Sequence, residues 1–255
     1  MSPFKKIRLY FINAIVIIYA IDYFYDIHWI FYAIPLFIFL FYLIAGSATL
    51  SLNTFIKSYT HPKSNKKELA LTFDDGPSPN TLAVLDTLKN YNAKATFFCI
   101  GHRIDKHPEI MKRIVAEGHT LGNHSYSHSI WFPVFRSKKI TQEINKTNDL
   151  ITHYTGKENR LFRPPFGVMT PGIAKAITKT RQLVMGWSIR SFDTSTKDIN
   201  KVIKRVQKKL VGSNVLLLHD DRENTPAILE PILQFALDNG YQFVDLPYIF
   251  NLAKK

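Results

Sequence analysis

The chain has 255 residues, of which 46% are apolar, and 33 Lys and Arg against 20 Asp and Glu give a formal net charge of +13. This length and composition suit one globular domain, alone or with a membrane anchor, and exclude wholesale disorder. A single cysteine, Cys99, excludes an internal disulfide framework and any zinc site built from several cysteines. The positive charge is compatible with nucleic acid, anionic lipid or a phosphate-bearing substrate.

Two apolar segments open the chain. Thirteen uncharged residues lie between Arg8 and Asp22, and residues 27–55 contain no Asp, Glu, Lys or Arg. A membrane-spanning helix needs about 20 apolar residues. The second segment meets this requirement, and the first meets it if Asp22 and the nearby tyrosines lie at the membrane interface. We therefore predict a membrane anchor over residues 1–56, with two transmembrane helices at about 9–25 and 29–50. A signal peptide is the alternative for the first segment.

The charges around these segments bear on topology. Lys5, Lys6 and Arg8 precede the first segment, and four lysines follow the second within residues 57–67, whereas the connection DYFYDIH has no Lys or Arg. If both segments span, the positive-inside rule places both ends in the cytoplasm. If only the second spans, the soluble part lies outside. The sequence predicts a multi-pass membrane protein with about two helices and leaves the side of the soluble part open.

Residues 57–67 are polar and predict a linker, and residues 68–255 alternate between two kinds of hydrophobic periodicity. Strands are predicted at 68–73, 95–100, 119–123, 160–162, 182–188, 214–219 and 241–244. Helices are predicted after Pro79, from Pro108 to Gly118, from Ile140 to near Gly156, and around 199–206 and 228–233. About seven strand–helix alternations predict an α/β fold with a parallel sheet, either open or closed into a barrel.

Charged residues follow several of the predicted strands. Asp74 and Asp75 end the first strand, Arg163 follows residues 160–162, and His219 and Asp220 end residues 214–219. The carboxyl ends of parallel strands meet at one rim, where α/β enzymes carry their active sites. The sequence therefore predicts one catalytic site at this rim.

A metal site is indicated by three residues. His124 and His128 are four apart, and on a helical turn this spacing places two imidazoles on one face. Chance pairs are common among nine histidines, but Asp75 completes a set of two imidazoles and one carboxylate. Such a set leaves coordination positions open for water, as in catalytic zinc sites. The adjacent Asp74 is then free to act as a base.

Five motifs resemble one known family. TFDDGP (72–77), HSYSH (124–128), RPPFG (163–167), WSIRSFD (187–193) and LLLHD (216–220) occur in the order and spacing of the polysaccharide deacetylase family, the NodB-homology domain of carbohydrate esterase family 4. The resemblance covers roughly residues 68–250 and implies a distorted (β/α) barrel of about seven strands, which the N-terminal transmembrane helices would precede. It also implies metal-dependent hydrolysis of an N-acetyl group on an aminosugar.

The resemblance implies a role for each catalytic residue. Asp74 matches the catalytic base, and Arg163 matches the arginine that pairs with that base. His219 matches the general acid, and Asp193 matches the aspartate that orients it. The backbone N–H of Phe166 would stand at the oxyanion position.

The resemblance also implies a metal ion and a substrate pocket. Asp75, His124 and His128 match the ligands of one divalent metal ion, for which zinc is expected and cobalt, nickel and manganese are alternatives. Leu218 and Pro165 match residues that line the substrate pocket. The fourth motif departs from the family pattern, because Arg190 stands where many members have aspartate and Thr194 where they have tryptophan. In the family these two positions help to shape the substrate groove, so the departures bear on the sugar preference.

Three functions remain compatible with the sequence. The first is a membrane-anchored N-deacetylase of N-acetylglucosamine-type glycans, such as peptidoglycan or chitin-like oligomers. The second is a deacylase or deformylase of a lipid-linked aminosugar, and the third is an inactive membrane-tethered glycan binder, which the complete set of base, ligands and acid disfavours. Membrane lipid is an expected partner, and the basic residues within 201–209 form either a solvated face or a surface for anionic headgroups or a lipid phosphate. We expect no nucleic-acid partner, because no binding motif is present, and the sequence does not indicate an oligomeric state.

Overall fold

The computed structural model describes residues 3–252, which begin with a helical hairpin. Helix α1 (Pro3–Tyr25) and helix α2 (Ile30–Ala48) pack together, with Phe11 and Phe39 stacked at 4.6 Å between ring centroids. The turn between them is held by Asp22, whose carboxylate accepts from the Tyr32 hydroxyl at 2.9 Å and from the backbone N–H of Ile27 at 2.8 Å. Both helices are long and apolar enough to cross a membrane.

A nine-stranded sheet forms the centre of the domain. Its strands lie in the order β1-β6-β5-β4-β3-β2-β8-β7, β9 pairs with β2, and every pair is parallel. The strands are β1 Ser58–Tyr59, β2 Glu68–Asp74, β3 Ala95–Cys99, β4 Thr120–Asn123, β5 Leu161–Phe162, β6 Leu183–Met185, β7 Ile189–Arg190, β8 Asn214–His219 and β9 Gln242–Phe243. This sheet is a parallel half-barrel, which confirms the predicted fold class.

Helices connect most of these strands, as parallel pairing requires. They are α3 Thr81–Asn90, α4 Gly101–Lys106, α5 Pro108–Ala116, α6 Ser137–Thr155, α7 Pro171–Thr180, α8 Ile199–Lys209, α9 Thr225–Asp238 and α10 Leu246–Ile249. Helix α6 ends at Gly156, whose φ of 66° closes the helix in the left-handed region. The sequence patterns did not indicate α7, which begins where the Thr170 side chain accepts from the backbone N–H of Ile173.

The predicted strand at 182–188 is shorter in the structure, and a further strand, β7, begins only at Ile189. β6 ends at Met185. The N–H of the following Gly186 still donates to the Tyr59 carbonyl of β1 at 2.8 Å, whereas the Gly186 carbonyl accepts from Arg163. β7 then pairs with the opposite side of the sheet, on β8. The apolar run therefore crosses the open end of the half-barrel, which its periodicity alone did not indicate.

The base of the hairpin packs against the domain. Leu50, just after α2, lies in a core cluster with Phe132, with Phe162 of β5 and with apolar residues of α6 and α7. The backbone N–H of Met169 donates to the Ser47 carbonyl at 2.9 Å. Residues 57–67, which we expected to form a linker, contain β1 at the sheet edge. The division of the chain into anchor, linker and catalytic domain remains a proposal.

Candidate active site

The carboxyl ends of the strands surround a cavity of about 350 Å³. The predicted site residues at these ends are brought together around it, although they are up to 145 positions apart in the sequence (Asp74 to His219). The lining includes Asp74, Asp75, Arg103, His124, His128, Phe166, Gly167, Trp187, Arg190, Thr194, Leu217 and His219. Charged and imidazole groups at the ends of β2, β4, β7 and β8 therefore share one opening.

Asp74 is held in place by a buried arginine. Arg163 is fully buried and donates to Asp74 Oδ1 at 2.7 Å, to the Thr72 hydroxyl at 2.9 Å and to the Gly186 carbonyl at 2.8 Å. Its guanidinium also lies over the Phe98 ring, with Cζ 4.1 Å from the centroid. A buried guanidinium is tolerated only when it is paired and its donors are used. This arrangement orients one oxygen of Asp74 and leaves Oδ2 for the cavity.

Asp75, His124 and His128 form a cluster beside this carboxylate. Asp75 Oδ1 lies 3.5 Å from His124 Nε2 and 3.3 Å from His128 Nε2, and one ligand atom from each residue lies within 4.8 Å of the others. Asp75 Oδ1 is buried and has no hydrogen-bond partner within residues 3–252. A buried carboxylate oxygen without a partner is costly, and a cation at this position would remove that cost.

The protonation of the cluster fits a metal ion. His124 Nδ1 lies 2.7 Å from the Arg163 carbonyl, which only accepts, so Nδ1 carries the proton and Nε2 keeps its lone pair for a metal. Burial and then the neighbouring His124 lower the pKa of His128 to about 4. Burial would raise the pKa of Asp75, but the positive charge of Arg103 and the charge that His124, His128 and His219 carry when protonated outweigh it and lower that pKa, so the carboxylate is ionised. Neutral imidazoles with an ionised carboxylate are the forms that bind divalent metals.

The prediction that the two histidines share a helical turn is wrong. They lie in a loop after β4, in which Ser125 has φ of 63° and His128 has φ of 47°. The loop is held by Glu143 of α6, which accepts from the Ser127 backbone N–H at 2.7 Å and from its hydroxyl at 2.9 Å. The two imidazoles approach each other because Ser125 and His128 adopt left-handed backbone conformations, and not because the histidines lie one helical turn apart. Nothing in the sequence singled out Glu143.

His219 is paired with a buried carboxylate across the cavity. Its Nδ1 donates to Asp193 Oδ1 at 2.8 Å, and its backbone N–H donates to Asp193 Oδ2 at 2.7 Å. Burial lowers the pKa of His219, but the hydrogen bond and charge of Asp193, together with Asp74 and Asp75, raise it to about 9. The imidazole is therefore protonated at neutral pH, with Nε2–H free to face the cavity.

Asp220 lies behind the catalytic loop rather than in the cavity. It is fully buried, accepts from the Thr81 hydroxyl at 2.5 Å, and its backbone N–H donates to the Asp74 carbonyl at 3.2 Å. Burial raises its pKa to about 7. A Cβ at Gly76 would collide with its carboxylate. Gly76 is therefore required for this close approach, and the positive φ of the loop is at Asp75, at 75°.

The structure corrects the predicted substrate pocket. Leu218 faces the core cluster on the helix side of β8, whereas Leu217 lines the cavity together with His219. Side chains alternate along a strand, so residues two apart share a face and Leu218 lies on the other one. Pro165 is buried, and the next residue, Phe166, reaches the cavity with φ of 62°.

Further residues near the site differ in whether they line the cavity or lie elsewhere. Arg190 and Thr194, the two departures in the fourth motif, both line the cavity. Arg103 of α4, which the sequence did not single out, donates to the Asp75 carbonyl at 2.6 Å. Trp131 is exposed, whereas the neighbouring Phe132 is fully buried in the core.

The chain is similar to known deacetylases. A family model described as polysaccharide deacetylase matches residues 61–183. A peptidoglycan-N-acetylglucosamine deacetylase of Bacillus cereus is 33% identical over 196 residues, covering 75% of this chain and 71% of that protein. The peptidoglycan-N-acetylmuramic acid deacetylase PdaC of Bacillus subtilis is 33% identical over 193 residues, covering 75% of this chain and 40% of that protein. This chain therefore spans less than half of the second relative.

A solved structure shares the fold. The crystal structure of the Bc1960 peptidoglycan N-acetylglucosamine deacetylase has a TM-score of 0.71 and 31% identity, and the match covers 78% of this chain and 94% of that one. The residues that match the family model include Asp74 and Asp75 at the end of β2 and both histidines after β4. The chain therefore belongs to the polysaccharide deacetylase family, the NodB-homology hydrolases of carbohydrate esterase family 4, which act on carbon–nitrogen bonds.

Proposed function

We propose that this chain is a metal-dependent N-deacetylase of N-acetylglucosamine-type glycans. The observation that carries the proposal is the cavity in which the Asp75 cluster lies beside Asp74, with the protonated His219 on the same rim. Amide hydrolysis needs an activated water, a stabilised oxyanion and a proton for the leaving amine. The relatives named above act on peptidoglycan aminosugars, which supports this class of substrate.

The metal ligands in this proposal are Asp75, His124 and His128. Two imidazoles and one carboxylate suit zinc, and cobalt, nickel and manganese take similar donors. When bound, such an ion polarises the acetyl carbonyl and lowers the pKa of water at the site. Asp75 Oδ1, which has no hydrogen-bond partner in the described part of the chain, and the Nε2 lone pair of His124 support this assignment.

The chain's own residues supply the proton transfers. Asp74, oriented by Arg163, takes the proton of the attacking water. The backbone N–H of Phe166 donates to the oxyanion that forms on the acetyl carbonyl. His219 then donates the proton on Nε2 to the leaving nitrogen, because an amine leaves poorly as an anion, and Asp193 stabilises the imidazolium before that step.

We further propose that the N-terminal hairpin anchors the catalytic domain in a membrane. Large apolar side chains cover both helices and are exposed, among them Tyr10, Ile17, Phe24, Phe37 and Phe41. A soluble monomer rarely exposes contiguous apolar surface on this scale. The proposal gives an anchor over residues 1–56, a connecting segment over residues 57–67 and a catalytic domain over residues 68–255.

A direct assay tests the proposed activity. The full chain, purified in detergent, is expected to release acetate from triacetylchitotriose. Removal of metal with a chelator should abolish the release, and addition of zinc should restore it. Acetate release that survives complete metal removal would reject metal dependence. A metal-loaded protein that deacetylates neither this nor any other acetylated aminosugar would reject the activity.

A further inference from the structure

A second cavity of about 290 Å³ adjoins the catalytic one. The two cavities share the lining residues Phe166, Gly167, Trp187 and Arg190. The second cavity extends away from the metal cluster to the end of helix α2, where residues 48–51 line it. A ligand in the catalytic cavity can therefore continue into this second cavity, which we call the basic pocket.

The basic pocket is lined by three cations. They are Arg190 on β7 and Arg205 and Lys209 on α8. Within residues 3–252, none of the three has a carboxylate oxygen within 4.0 Å. Like charges around a partly enclosed cavity repel one another and create a positive potential. An anionic ligand would relieve this repulsion.

The two guanidinium groups are held in place before any ligand binds. Arg205 and Arg190 both lie against the Phe192 ring, with Cζ atoms 4.3 Å and 5.0 Å from its centroid. Arg205 Nε also donates to the Arg190 carbonyl at 3.0 Å, which leaves its terminal N–H groups for a ligand. Planar guanidinium groups in fixed positions match the oxygens of a phosphate.

Exposed apolar side chains lie close to the end of α2, which lines the basic pocket. The exposed side chains of one loop there are those of Ile130, Trp131 and Val134. This loop is tied to the end of α2, because the Thr170 hydroxyl donates to the Pro133 carbonyl and the adjacent Met169 donates to the Ser47 carbonyl. If α2 spans a bilayer, its end and the basic pocket lie at the depth of the lipid headgroups.

We propose that the basic pocket binds the phosphate group of a phosphate-bearing aminosugar, whose acetamido group enters the catalytic cavity. This inference rests on the proposed deacetylase function and narrows its substrate class. The shared chemistry is a phosphate ester next to an N-acetylated sugar, and its source is either a lipid-linked sugar phosphate or a soluble one. A neutral glycan offers hydroxyl groups but no negative charge to the three cations, so it cannot make charge-assisted hydrogen bonds through its own anionic group.

The test compares three substrates with the full chain in detergent. They are neutral triacetylchitotriose, soluble N-acetylglucosamine 1-phosphate, and N-acetylglucosamine joined through phosphate to a polyprenyl chain. We expect kcat/KM to be at least about tenfold higher for a phosphate-bearing substrate than for the neutral one, as charge-assisted hydrogen bonds allow. Preference for the polyprenyl substrate over the soluble one identifies the lipid-linked source, and the reverse identifies the soluble source.

Variants of α8 assign the preference to the basic pocket. The double variant Arg205→Gln/Lys209→Gln should reduce the preference for phosphate at least about tenfold, mainly through KM. The matched control is Lys208→Gln, which removes one charge from an exposed position on the same helix and should keep the preference. A preference that persists in the double variant would overturn the proposal, as would equal kcat/KM for neutral and phosphate-bearing substrates.

Binding measurements separate this inference from the proposed activity. Calorimetric binding of N-acetylglucosamine 1-phosphate should weaken at least about tenfold in the double variant, whether or not acetate is released. If the neutral substrate is deacetylated without any phosphate preference, the deacetylase stands and the basic pocket assignment fails. If phosphatidylglycerol vesicles abolish that binding and the phosphate preference, the occupant is a bulk lipid headgroup and the substrate assignment is rejected.

Discussion

Arg163 shows how much of the site depends on one buried side chain. It joins β5 to β2 and to the turn after β6 through four donors, and it pairs with the carboxylate proposed as the base. Removing one partner of a buried ion pair leaves the other charge without compensation, at a cost of about 3–5 kcal/mol. The free energy of unfolding should therefore fall by about that amount in Arg163→Met.

Urea denaturation of the full chain in detergent measures this loss. Arg160→Met is the matched control, because Arg160 is exposed three positions earlier and its replacement should change stability by no more than about 0.5 kcal/mol. Equal losses in the two variants would contradict the role given to the buried pair.

The proposed ligands and the proposed base predict different defects. His128→Ala should lose most of its bound metal, whereas Asp74→Asn should keep its metal and lose about 10²- to 10⁴-fold in kcat. Metal content by elemental analysis and acetate release distinguish the two. His153→Ala, an exposed histidine on α6, should behave as wild type in both measurements. Loss of metal in Asp74→Asn would place that carboxylate among the ligands.

The pairing of His219 with Asp193 predicts a pH effect. The pKa of about 9 means that the proton-donating form is present below that pH and is lost as the pH rises through it. Asp193→Asn removes the negative charge, so the pKa should fall toward its ordinary value and the alkaline limb of kcat should move to lower pH.

The pH profile of kcat checks this shift, with Asp149→Asn at an exposed site of α6 as the control. An alkaline limb that stays in place in Asp193→Asn would show that His219 does not act as the acid.

At the scale of elements, the turn after β2 depends on its contact with the end of β8. Gly76→Ala should cost about 1–3 kcal/mol, because the added methyl meets the Asp220 carboxylate. In an Asp220→Ala background this collision is absent, so the same substitution should cost clearly less. Thermal unfolding of the four proteins in this cycle measures the difference. Additive losses would contradict the contact.

The elements also show which parts of the fold were predictable. β2, β3 and β8 were predicted nearly to the residue, because each is a continuous apolar run in a sheet that is buried on both faces. β1 and β7 have two residues each, and they form because backbone groups of β6 and β8, respectively, hydrogen-bond to them. Such strands have no periodicity of their own, and no sequence pattern marked them.

At the scale of the whole molecule, the hairpin decides which compartment the site faces. The charges around the two helices predict that both ends of the hairpin lie in the cytoplasm. A cysteine at Glu158, in an exposed loop of the catalytic domain, should then react with an impermeant maleimide only after permeabilisation. The native Cys99 is buried and gives no background.

The control for this topology is a cysteine at His28, in the exposed connection between the two helices. This cysteine should be labelled in intact cells, whereas the cysteine at Glu158 should be labelled only after permeabilisation. Labelling of Glu158→Cys in intact cells would reject the two-helix topology. It would leave a single anchor with an outward-facing domain and would favour a cell-wall glycan over a cytoplasmic substrate.

The sequence by itself determined the family, the strand–helix alternation and the candidate residues of the site. Motifs and hydrophobic periodicity are local properties, so Asp74, Asp75, His124 and His219 could be selected without coordinates. Only the tertiary structure showed how these residues are arranged. It showed that a loop with left-handed residues brings the two histidines together, and that Leu217 lines the cavity. The basic pocket between α8 and the end of α2 could also be found only in the tertiary structure. These features depend on contacts between segments that are far apart in the chain. A local sequence pattern does not report the free energy of such contacts, so it could not predict them.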